Sequence, residues 1–201
     1  KVDKKDIPNR VDCRDRNILT IDGADAKDLH DAVRVEKLPN GNYKLEVHIA
    51  DVSYYVKPDS MLDREALERG TSIYMLGRVI PMLPRELSNG ICSLNAGEDR
   101  FTLSCIMEIN NKGNVVSSEV FKGIINVKER MTYEDVQKII DGTDKKALKR
   151  YEPYINDFKL MEELAIILKN KRMEQGYLNL DIPESKIDLD IDGKVINVGK
   201  Y

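Results

Sequence analysis

The most constraining feature of the sequence is a run of four aspartates at every third position, enclosed by the strand-like segments 17–21 and 32–37. The aspartates are Asp22, Asp25, Asp28 and Asp31. Two like charges a few Å apart repel by about 1 kcal/mol in water and by several-fold more near a protein surface. Lys27 alone cannot neutralise four carboxylates. The pattern therefore predicts a connection between two strands that binds a divalent cation.

The spacing of the aspartates favours magnesium among the divalent cations. Mg²⁺ binds oxygen ligands, takes one or two carboxylates and fills its other positions with waters and substrate phosphates. A calcium-stabilised structural domain is an alternative, but an EF-hand loop needs acidic residues at every second position and a late Glu. A solvated Asp-rich loop is a further alternative. Asp22 ends an apolar strand, and functional groups are often held beside such rigid elements, which favours the metal site.

Composition limits the class of protein. The chain has 201 residues, 41% hydrophobic and 33% charged, which is typical of a soluble globular domain with a sizeable core. It contains no apolar run long enough for a membrane span, and its polar first ten residues predict no secretory signal. Three widely spaced cysteines without a C-x-x-C pair indicate buried thiols in a reducing cytoplasm. A net charge of −3 weighs mildly against nucleic-acid binding without excluding it.

The order of the secondary-structure patterns predicts an α+β fold with a mostly antiparallel β-sheet and surrounding helices. Asn-Gly between alternating apolar segments predicts a hairpin turn at 39–42, and a second hairpin is expected around 110–114. The predicted strands include 43–52, 71–76, 101–109 and 115–127, and strand character returns from Lys186. Helices are predicted over 61–69, from Thr132 to Ile140, and through the long periodic segment 145–175.

Five ordered motifs give the chain a resemblance to a known family. They are R-V-D-C-R-D, T-I-D-G-A-D-A-K-D-L-H-D-A-V, H-I-A-D-V-S-Y-Y-V, R-G-T-S-I-Y and I-P-M-L-P-R-E-L-S-N-G-I-C-S-L-N. Together they resemble the catalytic (RNB) domain of the ribonuclease II and ribonuclease R family, nearer to bacterial ribonuclease R. The resemblance is strong from Arg10 to Gly142 and weaker beyond. It implies that residues 1–201 are the N-terminal portion of one truncated RNB-type domain, with 1–9 as a linker.

The resemblance also implies an activity. Family members are processive, metal-dependent exoribonucleases that degrade RNA from its 3′ end and release nucleoside 5′-monophosphates in the cytoplasm. The implied cofactor is Mg²⁺, with Mn²⁺ as an alternative, and the implied partner is the 3′ end of single-stranded RNA. A non-catalytic RNA-binding module is the alternative function. Because part of the domain is missing from this chain, its exposed sheet edges are expected to favour association.

The aspartate run carries the candidate catalytic residues, Asp22, Asp28, His30 and Asp31. By position, Asp22, Asp28 and Asp31 match three of the family's four acidic residues and are the predicted metal ligands. The fourth position, which is usually an aspartate critical for the chemistry, is His30. An imidazole suits softer metals than Mg²⁺, so the chain is expected to be catalytically impaired. His30 as a replacement general base, or as a surface histidine, are the other interpretations.

Two tyrosines are candidates for contact with RNA. Tyr74 matches the family position beside the terminal nucleotide, where a ring can stack on a base or pack on the sugar. Tyr133 is a weaker candidate for the same RNA end. Either ring is alternatively a half-buried structural residue.

Overall fold

The computed structural model describes residues 2–76, 78–178, 180, 182 and 185–200. Its largest element is a seven-stranded sheet in the order β1-β8-β7-β4-β3-β2-β9. The strands of this sheet are β1 Val11–Asp12, β2 Leu19–Asp22, β3 Asp31–Lys37, β4 Tyr43–Ala50, β7 Asp99–Ile109, β8 Val115–Asn126 and β9 Glu129–Thr132. Two small hairpins stand apart from it, formed by β5 Ile73–Met75 with β6 Arg78–Ile80 and by β10 Ser185–Leu189 with β11 Val195–Lys200.

The two predicted hairpins are confirmed. In the β3–β4 turn, Gly41 has φ +86, a left-handed conformation that glycine adopts without steric cost. The Asn40 side chain accepts a hydrogen bond from the Asn42 N–H at 3.0 Å. In the β7–β8 turn, the Asn110 side chain accepts from the N–H groups of Lys112 and Asn114, both at 3.0 Å. These local bonds fix the register of the strands that form the centre of the sheet.

The sheet is mostly antiparallel, as predicted, with two parallel exceptions. β1 pairs in parallel with β8, and β2 pairs in parallel with β9. The second pairing joins segments far apart in the sequence and sets Asp22 opposite Thr132. It brings the end of the aspartate strand next to the start of a helix.

The helices are α1 Val52–Tyr55, α2 Met61–Arg69, α3 Tyr133–Asp141, α4 Lys145–Arg150 and α5 Ile155–Glu174. Ser60 caps α2 by accepting from the Asp63 N–H at 3.2 Å, and Thr132 caps α3 by accepting from the Asp135 N–H at 3.1 Å. Both helices begin where the sequence predicted them.

Two predicted boundaries were wrong. The segment 145–175 is not one helix, because a 3₁₀ turn at Glu152–Tyr154 separates α4 from α5. Pro153 lacks an N–H and disfavours the α conformation in the preceding residue, which explains the break. The strand predicted to reach Val52 ends at Ala50, since the Asp51 side chain accepts from the Tyr54 N–H and begins α1 instead.

The helices bury apolar side chains against the strands that carry the candidate site. One cluster contains Leu19 of β2, Met131 of β9, Ile139 of α3 and Phe158 of α5, each at most 1% exposed. Burying a side chain of this size stabilises the fold by about 1.5–3 kcal/mol. A second cluster packs Leu164 of α5 against Val35 of β3, Tyr43 of β4 and Ile109 of β7. The cluster around Leu19 and Met131 therefore holds β2 and β9 together.

The predicted linker, residues 1–9, contains a short 3₁₀ helix, Lys4–Asn9. Asp6 of this helix accepts a hydrogen bond from the Tyr54 hydroxyl. The domain boundaries stay a prediction. In the part of the chain that the structure describes, no helix is long and apolar enough to cross a membrane. Among the same residues, no strand pairs with the outer edge of β8 over residues 115–122. Association through such an edge stays a prediction.

Candidate metal centre

The aspartate loop, defined here as residues 23–30, connects β2 to β3 at one edge of the helix-covered sheet. Its second half is anchored by Leu29, whose side chain is 1% exposed. The Leu29 N–H donates to the Ser93 hydroxyl at 3.0 Å, and the Leu29 carbonyl accepts from the Leu94 N–H at 2.7 Å. The Ser93 hydroxyl in turn donates to the Lys27 carbonyl at 3.2 Å. These bonds hold the residues on either side of Asp28.

The first half of the aspartate loop is anchored by Arg130 of β9. One guanidinium nitrogen, Nη2, donates to the carbonyls of Ala26 at 2.7 Å, Ala24 at 3.1 Å and Gly23 at 3.5 Å. The loop therefore faces Arg130 with several backbone oxygens. The Arg130 guanidinium is a second positive charge near the aspartates, in addition to Lys27.

Asp22 is the most enclosed of the predicted ligands. Its Oδ2 atom is buried and has no hydrogen-bond partner. Burial raises the pKa of Asp22 above its ordinary value, and the charges of Asp31 and Asp28 raise it further, while Arg130 and His30 act in the opposite direction. A buried carboxylate oxygen that lacks a donor is an unfavourable arrangement unless a cation or a proton satisfies it.

The other predicted ligands are more open. Asp31 begins β3 and is exposed, as is His30, whereas Asp28 is half-buried. Within the described residues, no three His, Cys, Asp or Glu side chains stand close enough together to form a ready-made metal cage. The donors present are carboxylate oxygens within electrostatic reach of Asp22. This fits a cation held by one or two carboxylates that takes its other ligands from water and phosphate, as Mg²⁺ does.

Tyr74 lies at the candidate site. It belongs to the small β5–β6 hairpin, and its hydroxyl donates to Asp28 Oδ2 at 2.7 Å. This hydrogen bond raises the pKa of the Tyr74 phenol above its ordinary value. The residue is 65% exposed, which leaves surface of the ring free for an incoming base. Tyr133, 62% exposed, begins α3 directly after Thr132, the partner of Asp22 in the sheet.

Two residues of the site were missed by the sequence analysis. Arg130 and Ser93 contact the aspartate loop from distant parts of the chain. Ser93 lies in the motif I-C-S-L-N that carries part of the family resemblance, so its position was a usable signal. No local pattern around Arg130 indicates a partner more than one hundred residues away.

Comparisons with known proteins match the chain to one family. The RNB domain family matches residues 10–201. Ribonuclease R of Thermotoga maritima is 51% identical over 98% of this chain, and ribonuclease R 1 of Lactococcus lactis is 49% identical over 100% of this chain. The chain spans only 28% and 24% of those two proteins.

A solved structure extends the likeness to three dimensions. The Mycoplasma genitalium RNase R in complex with double-stranded RNA matches all of this chain with a TM-score of 0.91 and 30% identity, over 36% of its own length. Both the α+β fold and the predicted family are thereby confirmed. The chain belongs to the RNB domain family.

Proposed function

We propose that the protein containing this chain is a processive 3′-to-5′ exoribonuclease that hydrolyses RNA to nucleoside 5′-monophosphates. The observation that carries the proposal is the buried, unpartnered Asp22 Oδ2 at the mouth of the aspartate loop of an RNB domain. Relatives named ribonuclease R, and a neighbour solved with RNA, support RNA as the substrate. A cytoplasmic location stays a prediction.

The proposal gives each acidic residue a part. Asp22 and Asp31 would hold a divalent cation directly, and Asp28 would bind it or orient a water. A bound Mg²⁺, or Mn²⁺, neutralises charge at the phosphate and lowers the pKa of a bound water. Asp22 and Asp31, which flank the aspartate loop, supply the ligand oxygens together with Asp28 of the loop, and the half-buried setting of Asp22 limits competition from bulk water.

Tyr74 would hold the 3′-terminal nucleotide of a single strand. Stacking of a base on an aromatic ring is sequence-tolerant, as a processive enzyme requires, and contributes about 1–3 kcal/mol per base. Because its hydroxyl already reaches Asp28, a ring in this position would place the last base next to the candidate metal ligands.

His30 favours a second candidate function, a non-catalytic RNA-binding module. His30 stands where the family pattern has an aspartate, and neutral imidazole prefers softer metals than Mg²⁺. In this alternative the fold and the contact with RNA are kept while cleavage is lost.

The two candidate functions are separated by an assay on the full-length protein. Uniformly labelled RNA with a 3′ single-stranded end is incubated with Mg²⁺, Mn²⁺, Ca²⁺ or EDTA. An exoribonuclease releases nucleoside monophosphates only with Mg²⁺ or Mn²⁺. Binding of RNA without cleavage, with the same affinity in EDTA as in the presence of metal, would show the binding module instead.

Asp22→Asn is expected to remove the metal response while stabilising the metal-free chain. The raised pKa of Asp22 means that the folded chain holds a proton more tightly than the unfolded chain. Stability from this group is therefore present at low pH and is lost as pH rises through the raised pKa. An amide removes that cost at neutral pH. Thermal unfolding with EDTA and with Mn²⁺ measures both effects.

The expected outcome is a higher unfolding midpoint for Asp22→Asn in EDTA and no increase on adding Mn²⁺. The unsubstituted chain should gain stability with Mn²⁺ according to its affinity. Asp25→Asn is the matched control, since Asp25 lies in the same loop and is exposed. Equal responses of both variants to Mn²⁺ would contradict the assignment of Asp22.

Substitutions of Tyr74 are expected to separate stacking from the hydrogen bond to Asp28. Tyr74→Ala should weaken binding of single-stranded RNA by about tenfold, since a stacked base contributes about 1–3 kcal/mol. Tyr74→Phe keeps the ring, loses the bond to Asp28 and should bind RNA nearly as well as the unsubstituted protein. Fluorescence anisotropy in EDTA with a short oligonucleotide measures the Kd. A loss of RNA affinity in Tyr74→Phe as large as the loss in Tyr74→Ala would argue against stacking.

A further inference from the structure

Within the part of the chain that the structure describes, Arg130 donates its hydrogen bonds to backbone carbonyls and none to a carboxylate. It is half-buried on β9, next to the aspartate loop, and its Nε is buried without a partner. Its Nη2 reaches Ala26, Ala24 and Gly23 at 2.7, 3.1 and 3.5 Å. The guanidinium therefore contacts the loop and leaves the aspartate side chains without a direct bond to it.

The register of the sheet explains how Arg130 reaches the aspartate loop. Parallel pairing of β2 with β9 sets Arg130 opposite Thr20, two positions before the strand ends at Asp22. The loop turns back immediately after Asp22, with the Ala26 N–H donating to the Gly23 carbonyl at 3.1 Å. Carbonyls of this turn face β9 and converge on one cation. All three contacts are made by one nitrogen, Nη2, whose two hydrogens the carbonyls share, and the guanidinium keeps its charge at every accessible pH.

The charge of Arg130 acts in the same place as its hydrogen bonds. Its guanidinium places a positive charge beside the turn that follows Asp22, within hydrogen-bond distance of the Gly23 and Ala26 carbonyls. Because the guanidinium is occupied by carbonyls, it does not close off the Asp22 oxygens with an ion pair. Arg130 thus supports the negative charge without competing for the ligand atoms.

We propose that Arg130 is a positioning residue, which sets the shape of the aspartate loop and thereby the placement of Asp22 and Asp28. Ser93 is the second anchor, at the other end of the same loop. The part concerning metal ligands rests on the proposed function, whereas the part concerning the shape of the loop does not. Neither residue would touch the substrate or the metal.

The test compares Arg130→Met and Arg130→Lys with the unsubstituted full-length protein in two measurements. Mn²⁺ affinity is measured by electron paramagnetic resonance with the metal alone. Amide hydrogen exchange is measured at Ala26 and Leu29, whose N–H groups are hydrogen-bonded within the site. Arg130→Met should weaken Mn²⁺ binding by about tenfold or more, the loss typical of removing a supporting contact. Arg130→Met should also speed amide exchange at Ala26 and Leu29. Arg130→Lys should recover part of the Mn²⁺ affinity and part of the protection from exchange.

The matched control is Arg64→Met, which removes the same group from an exposed position of α2. It should leave both measurements unchanged. Arg130→Met with unaltered affinity and exchange would overturn the proposal. Circular dichroism shows whether Arg130→Met folds. If it does not, the test uses Arg130→Lys. Faster amide exchange at Ala26 in Arg130→Lys than in the unsubstituted protein then supports the proposal, and unchanged exchange overturns it. If no variant and no unsubstituted protein binds Mn²⁺, the proposed metal site fails, and the exchange data alone decide whether Arg130 shapes the loop.

Discussion

His30→Asp in the full-length protein is expected to raise the rate of RNA hydrolysis by at least about a hundredfold, which corresponds to ~2.7 kcal/mol of activation free energy. His30 lies next to Asp31 and follows the anchored Leu29, so a carboxylate there would join the acidic side chains around Asp22. It would add a negative oxygen ligand of the kind that Mg²⁺ prefers. The rate is measured as release of nucleoside monophosphates at saturating Mg²⁺.

The control for this gain is His30→Asn, which has the size of the aspartate and lacks its charge. It should stay near the rate of the unsubstituted protein, because the gain is attributed to the charged oxygen. A rate for His30→Asp no higher than for His30→Asn would contradict the impaired-nuclease interpretation and favour the RNA-binding module. Unchanged RNA affinity across the three proteins would place the effect in the chemical step.

Glu46→Ala is expected to cost about 3 kcal/mol of the free energy of unfolding, near the lower end of the range for breaking a buried ion pair. Glu46 is fully buried on β4 and accepts from Arg16 at 2.6 Å and from Arg34 at 2.5 Å. His48 Nε2 lies 3.6 Å from the same carboxylate, while its Nδ1 contacts the Ser104 hydroxyl at 2.8 Å. Alanine would remove the acceptor of Arg16 and one of the two carboxylates that Arg34 contacts. The two arginines keep some exposure, which limits the loss.

The pH dependence gives this prediction a second readout. Burial would raise the pKa of Glu46, but the polar contacts from His48, Arg16 and Arg34 outweigh it and bring the pKa well below the ordinary 4.5. A lowered pKa means that the stabilisation is present above about pH 4.5 and is lost as pH falls through the lower value. Glu46→Ala should therefore lose less stability on acidification than the unsubstituted chain.

Urea unfolding at pH 7 and at lower pH measures both effects. Glu36→Ala is the matched control, because Glu36 pairs with the same Arg34 at 2.9 Å but is 44% exposed. An exposed pair contributes about 0–1 kcal/mol. Equal losses for the two glutamates would show that burial of the carboxylate does not matter.

The features predictable from sequence are those fixed by neighbouring residues. The β3–β4 hairpin follows from Asn40-Gly41, and the start of α3 from a Thr132 hydroxyl that reaches the Asp135 N–H. The long helix was predicted without its break because apolar periodicity continues across Pro153, and only the backbone chemistry of proline interrupts it.

The features that could not be predicted depend on pairing between distant segments. The anchoring of the aspartate loop by Arg130 requires β9 to lie beside β2, and parallel pairing over such a distance leaves no local pattern. The same holds for the bond from Tyr74 to Asp28, which joins a separate hairpin to the loop. The aspartates could be found by their spacing, whereas the supports that shape their loop could not.

The parallel pairing of β2 with β9 has a consequence for how the protein is made. A nascent chain that has emerged only as far as β8 already contains both hairpins of the central sheet, yet it lacks the strand beside β2. Long-range pairing of this kind is slow and is completed after local structure. During synthesis, the first half of the aspartate loop therefore lacks its Arg130 anchor until β9 has emerged from the ribosome.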